Sequence, residues 1–313
     1  EEFGFSQAYE WSPEGNYLAY MKFDETDVKM FNMTLFAGLE PKIDDNALYP
    51  ENSTFKYPKA GEDNSIVSVH VYNLETEKTV KVDLGSETDI YIPRIKWTSD
   101  NEKLCVIRLN RLQNKMELLN ANPLTGSSSG FYTEENKYYI EESVFDELEF
   151  LEGGEYFVIT SERDGYRHLY LYSVDGKLVR QLTTGQWDVT SLIGFDSETN
   201  LFYYQSAEES PLKRAIYSVD IKAKKKTKLS TLSGTNEAEF SSGFQYFINY
   251  FSNITTPNYV TLNNSKGQVI RVLEENAELK SLVEDYGGVN KEFFEITTSE
   301  NIKLNASMIV PPD

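Results

Sequence analysis

At 313 residues, with 40% hydrophobic and 13% aromatic content, the chain is long enough to bury a sizeable core and too apolar to be disordered. A formal net charge of -20 opposes binding to phosphate backbones, and the single cysteine, Cys105, excludes an internal disulfide and a cysteine-based metal cluster. No stretch approaches the roughly 20 apolar residues that span a bilayer.

Along the chain, Glu10-Trp11-Ser12-Pro13-Glu14-Gly15-Asn16-Tyr17-Leu18-Ala19 opens a pattern of aromatic, polar turn and apolar strand. It returns around Trp97, Phe150, Phe195 and Phe240, at intervals of 53, 45 and 45 residues. Those intervals suit a four-stranded propeller blade of roughly 40 to 45 residues. The first interval is oversized and holds an insertion, about Asp27 to Lys56, in which Phe31, Leu35, Phe36, Leu39 and Leu48 are scattered among polar residues. As a bare loop it is too long for a compact domain. In the third repeat, His168 to Tyr172 and Lys177 to Leu182 read as strands around the turn Asp175-Gly176, with cognates at Lys115 to Tyr139, Ala215 to Leu229 and Asn258 to Leu273. The fold class is all-β, a β-propeller array of about five four-stranded blades. One blade cannot bury its own face, so neighbours must stack.

Three features invite a catalytic reading. Gly126-Ser127-Ser128-Ser129-Gly130 fits the nucleophile-elbow pattern, but it lacks the apolar strand before it and the helix after it, and reads as a hairpin tip. His70 and His168 sit inside alternating strand patterns, where a structural role is expected and no Ser and Asp partners are evident. The basic run Lys222 to Lys228 falls at a hairpin turn and reads as solvated. No catalytic residue, metal ligand or cofactor is assigned.

Several stretches carry a resemblance: Glu1-Glu2-Phe3-Gly4-Phe5 with Glu10-Trp11-Ser12-Pro13, Tyr57-Pro58-Lys59-Ala60-Gly61, Ser161-Glu162-Arg163-Asp164-Gly165-Tyr166-Arg167-His168 with Thr183-Thr184-Gly185-Gln186-Trp187, and the terminal Met308-Ile309-Val310-Pro311-Pro312-Asp313. Together they resemble the dipeptidyl peptidase IV family of serine exopeptidases. The resemblance implies an eight-bladed propeller capping an α/β-hydrolase domain, and removal of N-terminal dipeptides with Pro or Ala in second position. This chain is then expected to hold the later blades over residues 1–285, with 286–313 leading into a hydrolase domain that carries the catalytic triad. It is expected to be a fragment, inactive alone.

By the same resemblance Glu1 and Glu2 bind the substrate's free amine, since two carboxylates at the end of a closed pocket neutralise an ammonium and accept its hydrogen bonds. Other acidic doublets, such as Glu208-Glu209, lack that context. The Arg-Phe pair that some members place near substrate has no counterpart in Tyr138 to Phe145, which contains no Arg. The insertion either folds back on its blade or, as in the family, reaches a second subunit to make a homodimer. The implied partners are a peptide substrate and the hydrolase domain of the same protein, with no nucleic acid and no membrane span. The low cysteine count suggests a bacterial, periplasmic or exported protein. A TolB-like or WD-type binding scaffold without enzymatic activity is the alternative.

Overall fold

The computed structural model describes residues 3–4, 6–36, 50–99, 102–286 and 291–310. The chain divides into two compact units, Glu1–Asp146 with Val174–Gly176, and Glu147–Ser173 with Lys177–Asp313.

The first unit holds two blades. After β1 (Tyr9–Trp11) and β2 (Tyr17–Asp24) comes a ribbon of β3 (Met30–Leu35) and β4 (Glu51–Lys56), and then β5 (Ile66–Asn73) and β6 (Lys78–Lys81) complete a sheet of order β1-β2-β5-β6. In the second blade β7 (Ile90–Tyr91) and β8 (Ile95–Trp97) both pair with β9 (Leu104–Asn110), followed by β10 (Lys115–Ala121) and β11 (Ser128–Glu135). Pro93 lies between β7 and β8 and has no N–H for the ladder, which accounts for the split inner strand. A 3-10 turn, Glu142–Phe145, follows.

The second unit holds three blades, each a four-stranded antiparallel meander. The third blade is β12 (Glu149–Phe150), β13 (Tyr156–Ser161), β14 (His168–Ser173) and β15 (Leu178–Gln181); the fourth is β16 (Val189–Asp196), β17 (Leu201–Ser206), β18 (Ala215–Asp220) and β19 (Lys226–Lys228). The fifth is β20 (Thr235–Phe240), β21 (Tyr246–Asn253), β22 (Thr256–Asn264) and β23 (Val269–Glu274). Helix α1 (Ala277–Asp285) and a separate hairpin, β24 (Lys291–Thr297) with β25 (Lys303–Ile309), complete the described chain.

The fold is thus all-β and built of propeller blades, as the repeat indicates. Each aromatic anchor sits at or next to the end of a blade's inner strand: Trp11, Trp97, Phe150 and Phe240 are terminal residues and Phe195 is penultimate. The following residue then closes the turn, with Ser12 N donating to Tyr17 O at 3.0 Å, Leu151 N to Tyr156 O at 2.9 Å and Ser241 N to Tyr246 O at 2.9 Å.

Alternation in each strand sends one row of side chains into the seam between blades. In the first unit Ala19, Val69 and Val71 meet Leu104, Val106 and Ala121, all at most 1% exposed. In the second unit Val158, Leu169 and Leu171 meet Phe202, Tyr204 and Tyr217. Burying one such side chain stabilises by about 1.5–3 kcal/mol, so each seam, not each blade, is the unit of stability. Cys105 is buried on β9, and burial pushes its thiol pKa up, as expected of an inert structural cysteine.

The insertion is a ribbon rather than a bare loop, with six residues in each strand and Met30 opposite Lys56. Phe31, Phe55 and Tyr57 pack against one another edge-on or tilted, whereas Leu35 and Phe36 are exposed. Leu39 and Leu48 lie outside the described residues.

Candidate functional site

Glu1 and Glu2, the amine-binding residues inferred from sequence, lie outside the described residues. Their immediate neighbour is described. Phe3 is 8% exposed, and its ring meets Tyr91 edge-on at 5.3 Å and Phe145 edge-on at 5.8 Å between centroids. Tyr91 comes from the short inner strand β7, and Phe145 from the 3-10 turn, whose second amide, Ser143 N, is capped at 3.1 Å by the Glu141 carboxylate.

Two arginines buttress the socket. Arg111 lies over the Tyr91 ring, 5.7 Å from its centroid, while donating to Asp89 Oδ1 at 3.3 Å and to the Glu62 carbonyl at 3.2 Å. Arg94 makes a forked pair with Asp146, Nε to Oδ1 at 2.5 Å and Nη2 to Oδ2 at 2.9 Å, just beyond Phe145. Each of these guanidinium groups faces a carboxylate already. Tyr138 and Tyr139, 72% and 60% exposed, precede the turn, held where Ile140 N donates to Gln113 O at 2.7 Å. This segment therefore offers two phenol rings where an Arg-Phe pair was sought.

Sequence reasoning missed Arg111, Asp89 and the Glu62 carbonyl, because groups that meet from three separate segments leave no periodic signal. Tyr91 was equally silent.

The other candidates resolve into structure. Gly126 and Ser127 form the turn between β10 and β11, Ser128 begins β11, and its hydroxyl donates to the Asp83 carbonyl. A strand, not a helix, follows, so no elbow exists there. His168 is fully buried, with Nε2 3.0 Å from the Gly185 carbonyl and Nδ1 3.0 Å from Thr183 Oγ1. A carbonyl only accepts, so Nε2 carries the proton; Thr183 accepts from Leu169 N and donates to Nδ1. Trp187 packs edge-on against the same ring at 4.9 Å.

His70 does have a serine partner, contrary to the sequence reading, because residues two apart on a strand share a face: Ser68 Oγ lies 3.0 Å from Nε2. Burial first, then Lys81 and Lys22, hold its pKa below the usual histidine value. Among the described residues no carboxylate hydrogen-bonds to this ring, so the pair lacks the group that orients a triad histidine. The Lys222 to Lys228 run is a turn on the Asp220 carboxylate, which accepts from the amides of Lys222, Lys224 and Lys225; Lys226 and Lys228 pair with Glu208 and Glu209. Among the described residues no group of three or more His, Cys, Asp or Glu is placed to hold a metal ion.

Residues 1–258 match the family described as the dipeptidyl peptidase IV (DPP IV) N-terminal region. The chain belongs to that family. It is 30% identical over 324 residues to dipeptidyl peptidase 4 of Arthroderma otae, covering 100% of this chain and 41% of that protein. The crystal structure of Porphyromonas gingivalis dipeptidyl peptidase 4 superposes with a TM-score of 0.91 at 40% identity, over 99% of this chain and 43% of that one. A putative dipeptidyl aminopeptidase IV from Bacteroides ovatus gives 0.81 at 25% identity, over 99% and 45%. The chain thus spans about two fifths of its curated DPP IV relatives, within their N-terminal region, and corresponds to a non-catalytic propeller portion.

Proposed function

We propose that this chain is the substrate-gating propeller portion of a serine exopeptidase that removes N-terminal dipeptides with Pro or Ala in second position. Glu1 and Glu2 receive the substrate's ammonium, and the nucleophile, base and acid come from an α/β-hydrolase domain of the same protein. The observation that supports this reading is the match of residues 1–258 to the DPP IV N-terminal region, and beside the doublet Phe3 is buried against Tyr91 and Phe145. An amine held by two carboxylates at a closed end measures the cleavage site from the N-terminus, and internal peptide bonds have no ammonium to offer. The TolB-like or WD-type scaffold is disfavoured by the family match over residues 1–258.

The hydrolase partner also accounts for apolar surface after the last blade. Helix α1 has no buried residue, and Leu282, Tyr286, Phe293, Phe294 and Ile309 are all more than 40% exposed. We assign this segment, from 286 onward together with α1, to the junction with that domain. We further assign the β3–β4 ribbon to a homodimer contact, and the protein to the periplasm or exterior of a bacterium. Among the described residues no helix is long and apolar enough to cross a membrane.

The test is kinetic and uses the full-length protein. Glu1→Gln and Glu2→Gln should each lower kcat/KM on a Gly-Pro chromogenic substrate at least about tenfold, a desolvated charge-assisted hydrogen bond contributing about 1.5–3 kcal/mol. Unchanged kcat/KM in both variants would remove the doublet from the mechanism.

A further inference from the structure

The seam between the fourth and fifth blades differs in chemistry from the others. Its buried apolar cluster has only Tyr203, Ile216, Leu229 and Phe247, and beside it lie the buried polar side chains Ser230, Asn236, Asn249, Thr261 and Asn263. The substitution is visible at the 45-residue spacing of the repeat: Ile159 in the third blade and Tyr204 in the fourth, both fully buried, correspond to Asn249 in the fifth, which is 6% exposed. Phe247 and Phe251 flank Asn249 on the same face of β21, so an amide occupies the centre of an otherwise aromatic row.

Hydrogen bonding fixes which way that amide points. Asn236 Nδ2 donates to two carbonyls, Arg214 O at 2.9 Å and Leu232 O at 3.0 Å, so its Oδ1 must be the acceptor turned toward Asn249. Asn249 Nδ2 donates to it at 3.1 Å. Flipping Asn249 would set two oxygens against each other. Its own Oδ1 is therefore the atom left over, and it is buried with no donor. Asn249 lines a cavity of about 140 Å³ together with Ser230, Tyr259, Thr261 and Asn263. The Asn263 amide does not supply the missing donor, being turned to the carbonyl and hydroxyl of Thr261 at 3.1 and 2.8 Å, and no hydroxyl of the lining hydrogen-bonds to Asn249 Oδ1.

A buried acceptor without a donor costs about 1–3 kcal/mol, and a cavity of this size, lined by hydroxyls and amides on one side and by Leu229, Leu232, Phe247 and Val269 on the other, has room for about four water molecules at roughly 30 Å³ each. No charged side chain lines the cavity, so nothing in it selects an ion. The geometry points to a built-in hydration site between the fourth and fifth blades: a small cluster of ordered waters, anchored by donation to Asn249 Oδ1, that completes the part of the seam where amides and hydroxyls lie beside the apolar cluster. The fifth blade is then joined to the fourth through water as well as through Phe247.

The experiment is a high-resolution crystal structure of the full-length protein, native and pressurised with xenon, which enters dry apolar cavities and is excluded by bound water. Expected are water density within about 3.2 Å of Asn249 Oδ1 and no xenon in the cavity. Xenon in the cavity, an empty cavity, or a buffer molecule seated on Asn249 in place of water would each overturn the assignment.

Discussion

Among single residues, burial and its electrostatic cost do most to separate this chain's structural groups from its functional ones. Tyr217 is 5% exposed, stacks on Tyr204 with centroids 5.7 Å apart, and faces Glu208 and Glu209. Burial first, and those carboxylates second, push its pKa from 10.0 up to about 12; burial raises that of Tyr204 as well. The folded state therefore keeps these protons after the unfolded chain has lost them. Stability from this pair is fully present below pH 10 and falls as pH rises from there through 12, because the unfolded state binds fewer protons in that window. Chemical denaturation between pH 8 and 11 should show an alkaline decline that is shallower in Tyr217→Phe; equal slopes would contradict the burial argument. His168 shows the limit of sequence reading at this scale. Its strand was legible from alternation, but its partners Thr183 and Gly185 lie on the next connection and their hydrogen bonds follow only from the fold.

Among elements, the blades were legible and their joints were not. The aromatic-turn-strand repeat placed the inner hairpin of every blade because an aromatic ending one strand and a polar reversal leave a strong local pattern. The strands within the Asp27 to Lys56 insertion were not anticipated, since a two-stranded ribbon with an exposed face lacks a buried alternating row. Helix α1 was equally faint: it buries no side chain, and its N-cap Asn276 makes no capping hydrogen bond. The Gly126 turn shows how closely neighbouring blades meet. Its φ is +75°, and a Cβ there would lie 2.2 Å from the Lys81 carbonyl oxygen, on the strand β6 of the first blade. Gly153, at φ +91°, has open space around the same position. Gly126→Ala should thus cost clearly more than Gly153→Ala, by at least about 1 kcal/mol in denaturant unfolding of the full-length protein, since both suffer backbone strain and only the first adds a clash with backbone. Equal costs would mean that the two blades part easily at this seam.

At the scale of the whole molecule, the chain is a set of blade seams and exposed apolar faces that spans about two fifths of the length of its curated relatives. The net charge of -20 opposes phosphate-backbone partners, and the lysine run 222–228 is a turn in which Lys226 and Lys228 pair with Glu208 and Glu209. The amine-binding role proposed for Glu1 and Glu2 rests on their sequence context, since the doublet is one of several; the packing of Phe3 on Tyr91 and Phe145 was not legible, because it joins segments up to 142 residues apart. The ribbon makes a separate prediction. If Leu35 and Phe36, 46% and 75% exposed, cover a second subunit, then Leu35→Asp with Phe36→Asp should convert a dimer of the full-length protein into a monomer by light scattering. A wild type that is already monomeric at high concentration would exclude the contact.

The measurement that bears most directly on amine recognition is the ratio of kcat/KM for a free-amine substrate over its N-acetylated form, in the wild-type full-length protein and in Glu1→Gln with Glu2→Gln. Acetylation removes the charge that the doublet is proposed to bind while leaving the scissile bond unchanged. The wild type should reject the acetylated substrate, and the double variant should lose most of that preference, through slower turnover of the free amine, while remaining folded. A double variant that discriminates as sharply as the wild type would show that the ammonium is read elsewhere.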